Sequence, residues 1–176
     1  MKPESLMIGI RPETTSDYEA IEQVTIAAFA GKALSDADEH LIIRRLRQAG
    51  ALSLSLVAAA NQRIVGHIAF SVVKINRKDQ GWYGLGPASV LPGLQKQGIG
   101  SMLIREGLTR IHDLGAMGCV LEGDPRYYQR FGFRSYPGLV YEGAPSATDF
   151  MALPFYQEVP NGKVEFHQAF DRPAHS

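Results

Sequence analysis

A single cysteine, Cys119, is all that 176 residues contain. An internal disulfide is therefore excluded, and the chain fits a reducing compartment. Neither sign of charge is in excess: 18 Lys and Arg balance 18 Asp and Glu, spread rather than clustered. Nothing in that distribution forms the basic patch that DNA or RNA would require. No apolar run approaches the roughly 20 residues of a membrane-spanning helix. The stretch from Met1 to Ile10 lacks the basic-then-apolar pattern of a signal peptide. A soluble cytoplasmic protein is expected, without nucleic-acid or membrane partners. No His/Cys/Asp/Glu cluster has metal-ligand spacing, so no metal is expected. Repeats and low-complexity segments are missing too, and the length suits one domain over residues 1–176.

What the chain does have is a glycine-rich stretch, Gln95-Lys96-Gln97-Gly98-Ile99-Gly100-Ser101. It lies between an extended run, Trp82 to Val90, and a helical run, Ser101 to Leu114. A helix start leaves its first backbone N–H groups without intrahelical partners, and the helix dipole adds positive charge there. Glycines let an anion approach that backbone, so strand, turn and helix in this order make a phosphate pocket. The same order also describes an ordinary loop-to-helix turn, and the glycines alone do not decide between the two.

The rest of the chain reads in order. Ile8 to Arg11 is a short extended start before Pro12. Ser16 and Glu19 have capping-box spacing, and Tyr18, Ile21, Val24, Ala28 and Phe29 follow at helical intervals up to Gly31. Ser35 to Asp38 caps a second helix with Leu41, Ile42 and Leu46 apolar and Gly50 past its end. Leu52 to Ala60, Ile64 to Val73 and Trp82 to Leu91 form an antiparallel meander, with turns at Asn61-Gln62 and Asn76 to Gln80. Ile64, Ile68, Phe70 and Val72 are expected on one face, and Trp82 in the core or at a sheet edge. The helix after the glycine turn presents Ile99, Met102, Leu103, Leu108 and Ile111 on one side and ends at Gly115. Met117 to Glu122 is a fifth strand, joined to the fourth by a right-handed crossover and parallel to it. Gly123-Asp124-Pro125 starts a short helix to Phe131, Phe133 to Tyr136 is extended, and Pro137 to Ser146 is a loop. Phe150 to Phe155 and Lys163 to Ala169 complete the sheet. The fold class is α+β in three layers, with a mixed, mostly antiparallel sheet and helices on both faces.

Two segments together resemble a known family. Gln95-Lys96-Gln97-Gly98-Ile99-Gly100 matches the (Gln or Arg)-x-x-Gly-x-(Gly or Ala) pattern of the GNAT superfamily of N-acetyltransferases, and Tyr127-Tyr128-Gln129-Arg130-Phe131-Gly132-Phe133 resembles the aromatic signature after its fifth strand. With Val65-Gly66-His67, Gly84-Leu85-Gly86-Pro87 and the ending Val164 to Phe170, most of the chain looks like the small bacterial YhbS-type subgroup. The resemblance implies acetyl-CoA as cosubstrate, with its pyrophosphate on the backbone amides from Gln97 to Ser101, after Gln95 and Lys96. It implies a pantetheine arm along Ala88, Ser89 and Val90, in a gap where the fourth and fifth strands splay apart. It also implies that Tyr128 points at the cofactor sulfur.

Acetyl transfer from a thioester to an amine needs a deprotonated amine, close positioning, donors for the oxyanion and a proton for the departing thiolate. Backbone N–H groups near Val90 are candidate oxyanion donors, and Tyr128 is a suitable general acid. Read structurally, Tyr128 is only a half-buried ring packed beside Tyr127. The base is less legible, because Tyr83-Gly84-Leu85-Gly86-Pro87 carries neither acid nor histidine. Glycines there suggest a roomy acceptor site, a base from elsewhere or a water chain. Glu122 is the chosen candidate by position, Asp124 doubles as a helix cap, and His67 as a packed strand residue. Cys119 reads as a buried small hydrophobe rather than a nucleophile. Arg126 and Arg130 face either cofactor phosphates or solvent, solvent being the simpler reading.

The resulting expectation is an N-acetyltransferase acting on a primary amine, small-molecule or protein, by direct attack in a ternary complex. A non-catalytic acyl-CoA-binding or sensing protein on the same fold is the alternative. A nucleotide-binding turn is a third reading, weakened because Ser101 follows Gly100 directly and the Gly-Lys-Ser/Thr ending is missing. Exchange of the last strand offers a route to a homodimer.

Overall fold

A computed structural model describes residues 7–30, 38–144, 146–156 and 158–171. Alternating apolar residues build strands β1 (Ile8–Pro12), β2 (Leu54–Ala60), β3 (Arg63–Ile75) and β4 (Lys78–Val90), which pair antiparallel in that order. The β2–β3 and β3–β4 turns are Asn61-Gln62 and Asn76-Arg77, all four residues at positive φ. Such paired left-handed residues match the twist of a hairpin, and asparagine tolerates them well. Strand β5 (Gly118–Glu122) pairs parallel to β4, and β7 (Phe150–Pro154) pairs antiparallel to β5. Two short strands, β6 (Leu139–Val140) inside the expected loop and β8 (Gly162–Glu165), which ends before the expected Ala169, pair with each other, and β8 also pairs with the far end of β3. Phe133 to Tyr136 contributes only an isolated bridge, Arg134 to Ala152.

Helices α1 (Tyr18–Phe29) and α2 (Glu39–Gln48) cover one face of the sheet, and α3 (Ile99–Asp113) covers the other. The α1/α2 core joins Ile21, Val24 and Ile43 to Val57 and Ile64, whereas Leu103, Ile104 and Ile111 of α3 pack with Ile68, Phe70 and Leu121. Ile64 thus lies opposite Ile68 and Phe70. A bulge between Ala58 and Ala59 skips Val65 in the β2–β3 register and flips the alternation. In α3, Met102 is exposed, and Ile104 and Gly107 take the inner positions. Gly107 is there because the Phe70 ring lies where a side chain would begin.

The entry to α1 differs from the serine cap. Thr14 is the capping residue of a single 3-10 turn, Thr15–Asp17, and its backbone N–H donates to Asp17 Oδ2 at 2.7 Å. Asp17 is buried and receives two Arg11 bonds, at 2.7 and 3.0 Å. In α2, Asp38 is the N-cap residue and Ile43 is the buried anchor, with Ile42 half-buried. The expected cap residues 35–37, the stop at Gly31 and the loop between the helices lie outside the described residues. Gly50 closes α2 as expected: at φ 68 it donates to Arg47 O, and Ala51 donates to Leu46 O at 2.8 Å. No helix among the described residues is long and apolar enough to cross a membrane.

Candidate active site

The site begins where two strands part. Trp82 pairs with Gly118, Tyr83 with Cys119 and Gly84 with Val120, and there the β4–β5 ladder stops. Beyond it β4 stays with β3, through Ala88, Ser89 and Val90, while β5 stays with β7 through Glu122. The β4 edge from Leu85 to Val90 is left facing a wedge between the strands. A bulge helps to turn it: β3 runs from Ile68 to Phe70 while β4 runs from Ala88 back to Leu85, one residue more.

The glycine turn sits at the end of that edge. Gln95 Nε2 donates to Val90 O at 3.1 Å and ties the turn to β4. Lys96 (φ 65) and Gly98 (φ 88) take left-handed backbone, which in a lysine is uncommon. The first helical bond of α3 is Met102 N to Gly98 O, at 3.0 Å. Amides of Ile99, Gly100 and Ser101 precede that bond, at the positive end of a fifteen-residue helix. Ile99 is buried and anchors the turn through its side chain, and nothing lies within 4 Å of where a Gly98 Cβ would be.

The short helix α4 (Pro125–Tyr128) and the 3-10 turn after it bring two tyrosines to the same wedge. Tyr127's hydroxyl lies 3.3 Å from the position of a Gly100 Cβ, so it adjoins the start of α3. In the sequence Tyr127 reads only as a packing partner of Tyr128. The neighbouring Tyr128 ring sits against Gly123 and stacks edge-on with Tyr127 at 4.9 Å and Phe133 at 6.1 Å. Burial, then the neighbouring Tyr127 and Cys119, push its phenol up to about 12. The Tyr128 phenol therefore stays protonated at neutral pH.

A family model described as acetyltransferase (GNAT) domain matches residues 51–135. The chain is 31% identical over 169 residues to the uncharacterized N-acetyltransferase YhbS of Escherichia coli K12, covering 93% of this chain and 98% of that one. It belongs to the GNAT acetyltransferase family. A GNAT family acetyltransferase from Brucella melitensis, crystallised with acetyl-CoA, is 47% identical with a TM-score of 0.84, over 95% of this chain and all (100%) of that one. Escherichia coli YhbS, crystallised with CoA, superposes with a TM-score of 0.88 at 28% identity, over 98% and 96% of the two chains. The mixed sheet with its splayed fourth and fifth strands is thus the GNAT fold.

Other candidate residues of this GNAT chain separate. Ser89 turns its hydroxyl away from the wedge, 3.3 Å from Thr25 Oγ1 under α1, and leaves its backbone to the β4 edge. Glu122 is exposed at the end of β5, two residues beyond Val120 and so on the face away from α3. Asp124 accepts from Arg126 N at 2.9 Å, which makes it the α4 cap and lowers its pKa. Arg126 and Arg130 are exposed, the latter stacked on Tyr127. Cys119 is buried, and burial pushes its thiol well above the usual range.

His67 is fully buried with Nε2 2.7 Å from Ser55 Oγ, which donates to Glu13 Oε1 at 2.5 Å. Nε2 must then carry the proton, and Nδ1 has no partner among the described residues. Arg47 closes the network with two bonds to Glu13, at 2.8 and 3.1 Å. Burial is the main cause that pulls the His67 pKa down to about 4; Glu13 opposes it and Arg47 adds to it. Only the strand position of His67 was visible in the sequence. Its partners come from Glu13 and Ser55, which no motif connects.

The acceptor side also differs from a roomy one at Gly84. Phe166 Cε1 lies 2.5 Å from where a Gly84 Cβ would be, and Val73 Cγ1 3.0 Å. The glycine makes room for an aromatic ring. Gly86 does open onto space, with nothing within 4 Å of its Cβ position.

Proposed function

We propose that this chain is an acetyl-CoA-dependent N-acetyltransferase in which a primary amine attacks the thioester directly, within a ternary complex. The observation that carries the reading is the wedge. Among the described residues, a β4 edge that no second strand pairs beyond Gly84 runs straight into a glycine turn whose amides precede the first helical bond of α3. A pantetheine arm carries two amides that suit the edge at Ala88 to Val90, and a pyrophosphate suits the amides from Gln97 to Ser101. Space at Gly98 fits that anion. The carbonyl then lies near Val90, where backbone N–H groups stabilise the developing oxyanion. Tyr128, protonated up to about 12, gives its proton to the departing thiolate. Glu122, on the open face at the end of β5, takes the amine proton directly or through water. The N-acetylated amine and free CoA are the products.

Thiol release on mixing the protein with acetyl-CoA and a panel of primary amines tests this. Turnover with at least one amine is expected, and no release from a broad panel would overturn it. A non-catalytic acyl-CoA sensor is the second reading, favoured by one observation: β4 offers no carboxylate or imidazole from Trp82 to Val90. Micromolar CoA binding without thiol release would select it.

A further inference from the structure

The face of the wedge opposite α3 is walled by aromatic rings. Glu122 pairs with Phe150 across β5 and β7, so their side chains emerge together on that face. Phe150 stacks with Tyr141 at 5.4 Å, and Tyr141 with Phe166 at 4.9 Å. Phe166 in turn covers Gly84, the last β4 residue paired with β5, and stacks with Phe170 at 5.2 Å. The rings therefore run in an arc from β7 to β4, over the point where the strands part. Phe150 is buried, while Tyr141, Phe166 and Phe170 are half-buried. One end of the arc is the Glu122 carboxylate, and beside the other is the open space at Gly86. Arg45 holds the segment that carries the arc, through Ala169 O at 2.9 Å and Asp171 O at 3.2 Å.

From this arrangement we infer that the acyl acceptor is an amine carried on an aromatic body, its ring laid against Phe166 and Tyr141 and its ammonium toward Glu122. This rests on the acetyl-transfer reading for the reaction, though not for the binding. Half-exposed rings lose water favourably to a flat apolar partner and prefer offset or edge-on aromatic contacts. A polyamine or a short aliphatic amine gains the charge contact alone. The acid at one end suits a cation and disfavours an aromatic carboxylate.

The test compares 2-phenylethylamine with n-butylamine and spermidine on the full chain. Two readouts are used: affinity for the CoA-loaded protein by calorimetry, and kcat/KM by thiol release. 2-Phenylethylamine is expected to bind and react about tenfold better than n-butylamine, the size of one good aromatic contact plus ring burial. Tyr141→Leu and Phe166→Leu should each reduce that preference to about two- to threefold, with CoA affinity unchanged. Tyr141→Leu keeps the test valid if loss of Phe166 unfolds the protein, since Phe166 fills the space over Gly84. Equal affinity for the two amines, or a preference that survives both variants, overturns the inference. Turnover of spermidine or n-butylamine at the aromatic rate does so too, while leaving acetyl transfer standing. Ring-dependent binding with no thiol release supports the inference and removes the acetyl-transfer reading instead.

Discussion

In the proposed mechanism a single hydroxyl, that of Tyr128, protonates the departing thiolate. Its ring is packed by Tyr127, Phe131 and Phe133. A phenol raised to about 12 stays protonated across the working range of an enzyme. Tyr128→Phe should lower kcat by about 100-fold, the lower end of general-acid effects, with CoA affinity within about twofold. An unchanged rate in stopped-flow thiol release would remove Tyr128 from the mechanism. The sign of the pH effect also follows. The acid form is lost only as pH rises towards about 12, so kcat should climb as the amine loses its proton and show no alkaline fall between about pH 8 and about pH 10. A descending limb in that interval would place the ionising acid elsewhere.

At the scale of elements, the glycine turn and α3 were legible because their signals are local. Turn, glycines, helical periodicity and a C-terminal glycine lie within some twenty residues of one another. Met102 and Ile104 exchanged faces because the phase of α3 is set by how it lands on β3, and a Phe70 ring decides that. The same contact gives a test. Gly107→Ala gains about 1 kcal/mol of helix propensity but drives a methyl into a fully buried ring, an overpacking that costs about 1–3 kcal/mol. Net destabilisation is expected, read as a lower midpoint in urea; a higher midpoint would mean that Phe70 moves aside freely. In the turn, Gly98→Glu and Gly100→Glu should both abolish CoA binding, for distinct reasons. At Gly98, space is open but φ is 88, so the side chain is strained and its charge enters the proposed pyrophosphate site. At Gly100 the side chain also meets the Tyr127 hydroxyl. Retained affinity in calorimetry would put the cofactor elsewhere. The aromatic arc was illegible for the opposite reason: Gly84, Tyr141, Phe150 and Phe166 are far apart in the chain and share no motif.

A pH response that no single element carries is expected of the whole molecule. Arg47 of α2, Glu13 after β1, Ser55 of β2 and His67 of β3 form one network that ties α2 to three strands, with Arg47 stacked 3.8 Å from the Tyr18 ring centre. Folding places His67 where a charge is costly, so its pKa falls from 6.5 to about 4, burial being the largest cause. Between those two values the unfolded chain binds a proton that the folded chain refuses. Stability is then unaffected above about pH 6.5 and falls as pH drops towards about 4, by about 3 kcal/mol in all. Asp17 works in a separate window. Its Arg11 bonds depress its pKa below the ordinary 3.8, so that contribution is intact above this value and lost only at lower pH. Loss of stability between about pH 6.5 and about pH 4.5 therefore reports His67. In His67→Gln the amide can still reach Ser55 but cannot titrate, so urea unfolding at pH 7 and at pH 4.5 should differ by about 2 kcal/mol less than in the parent protein. An acid limb that survives His67→Gln unchanged would mean that another buried group carries the response.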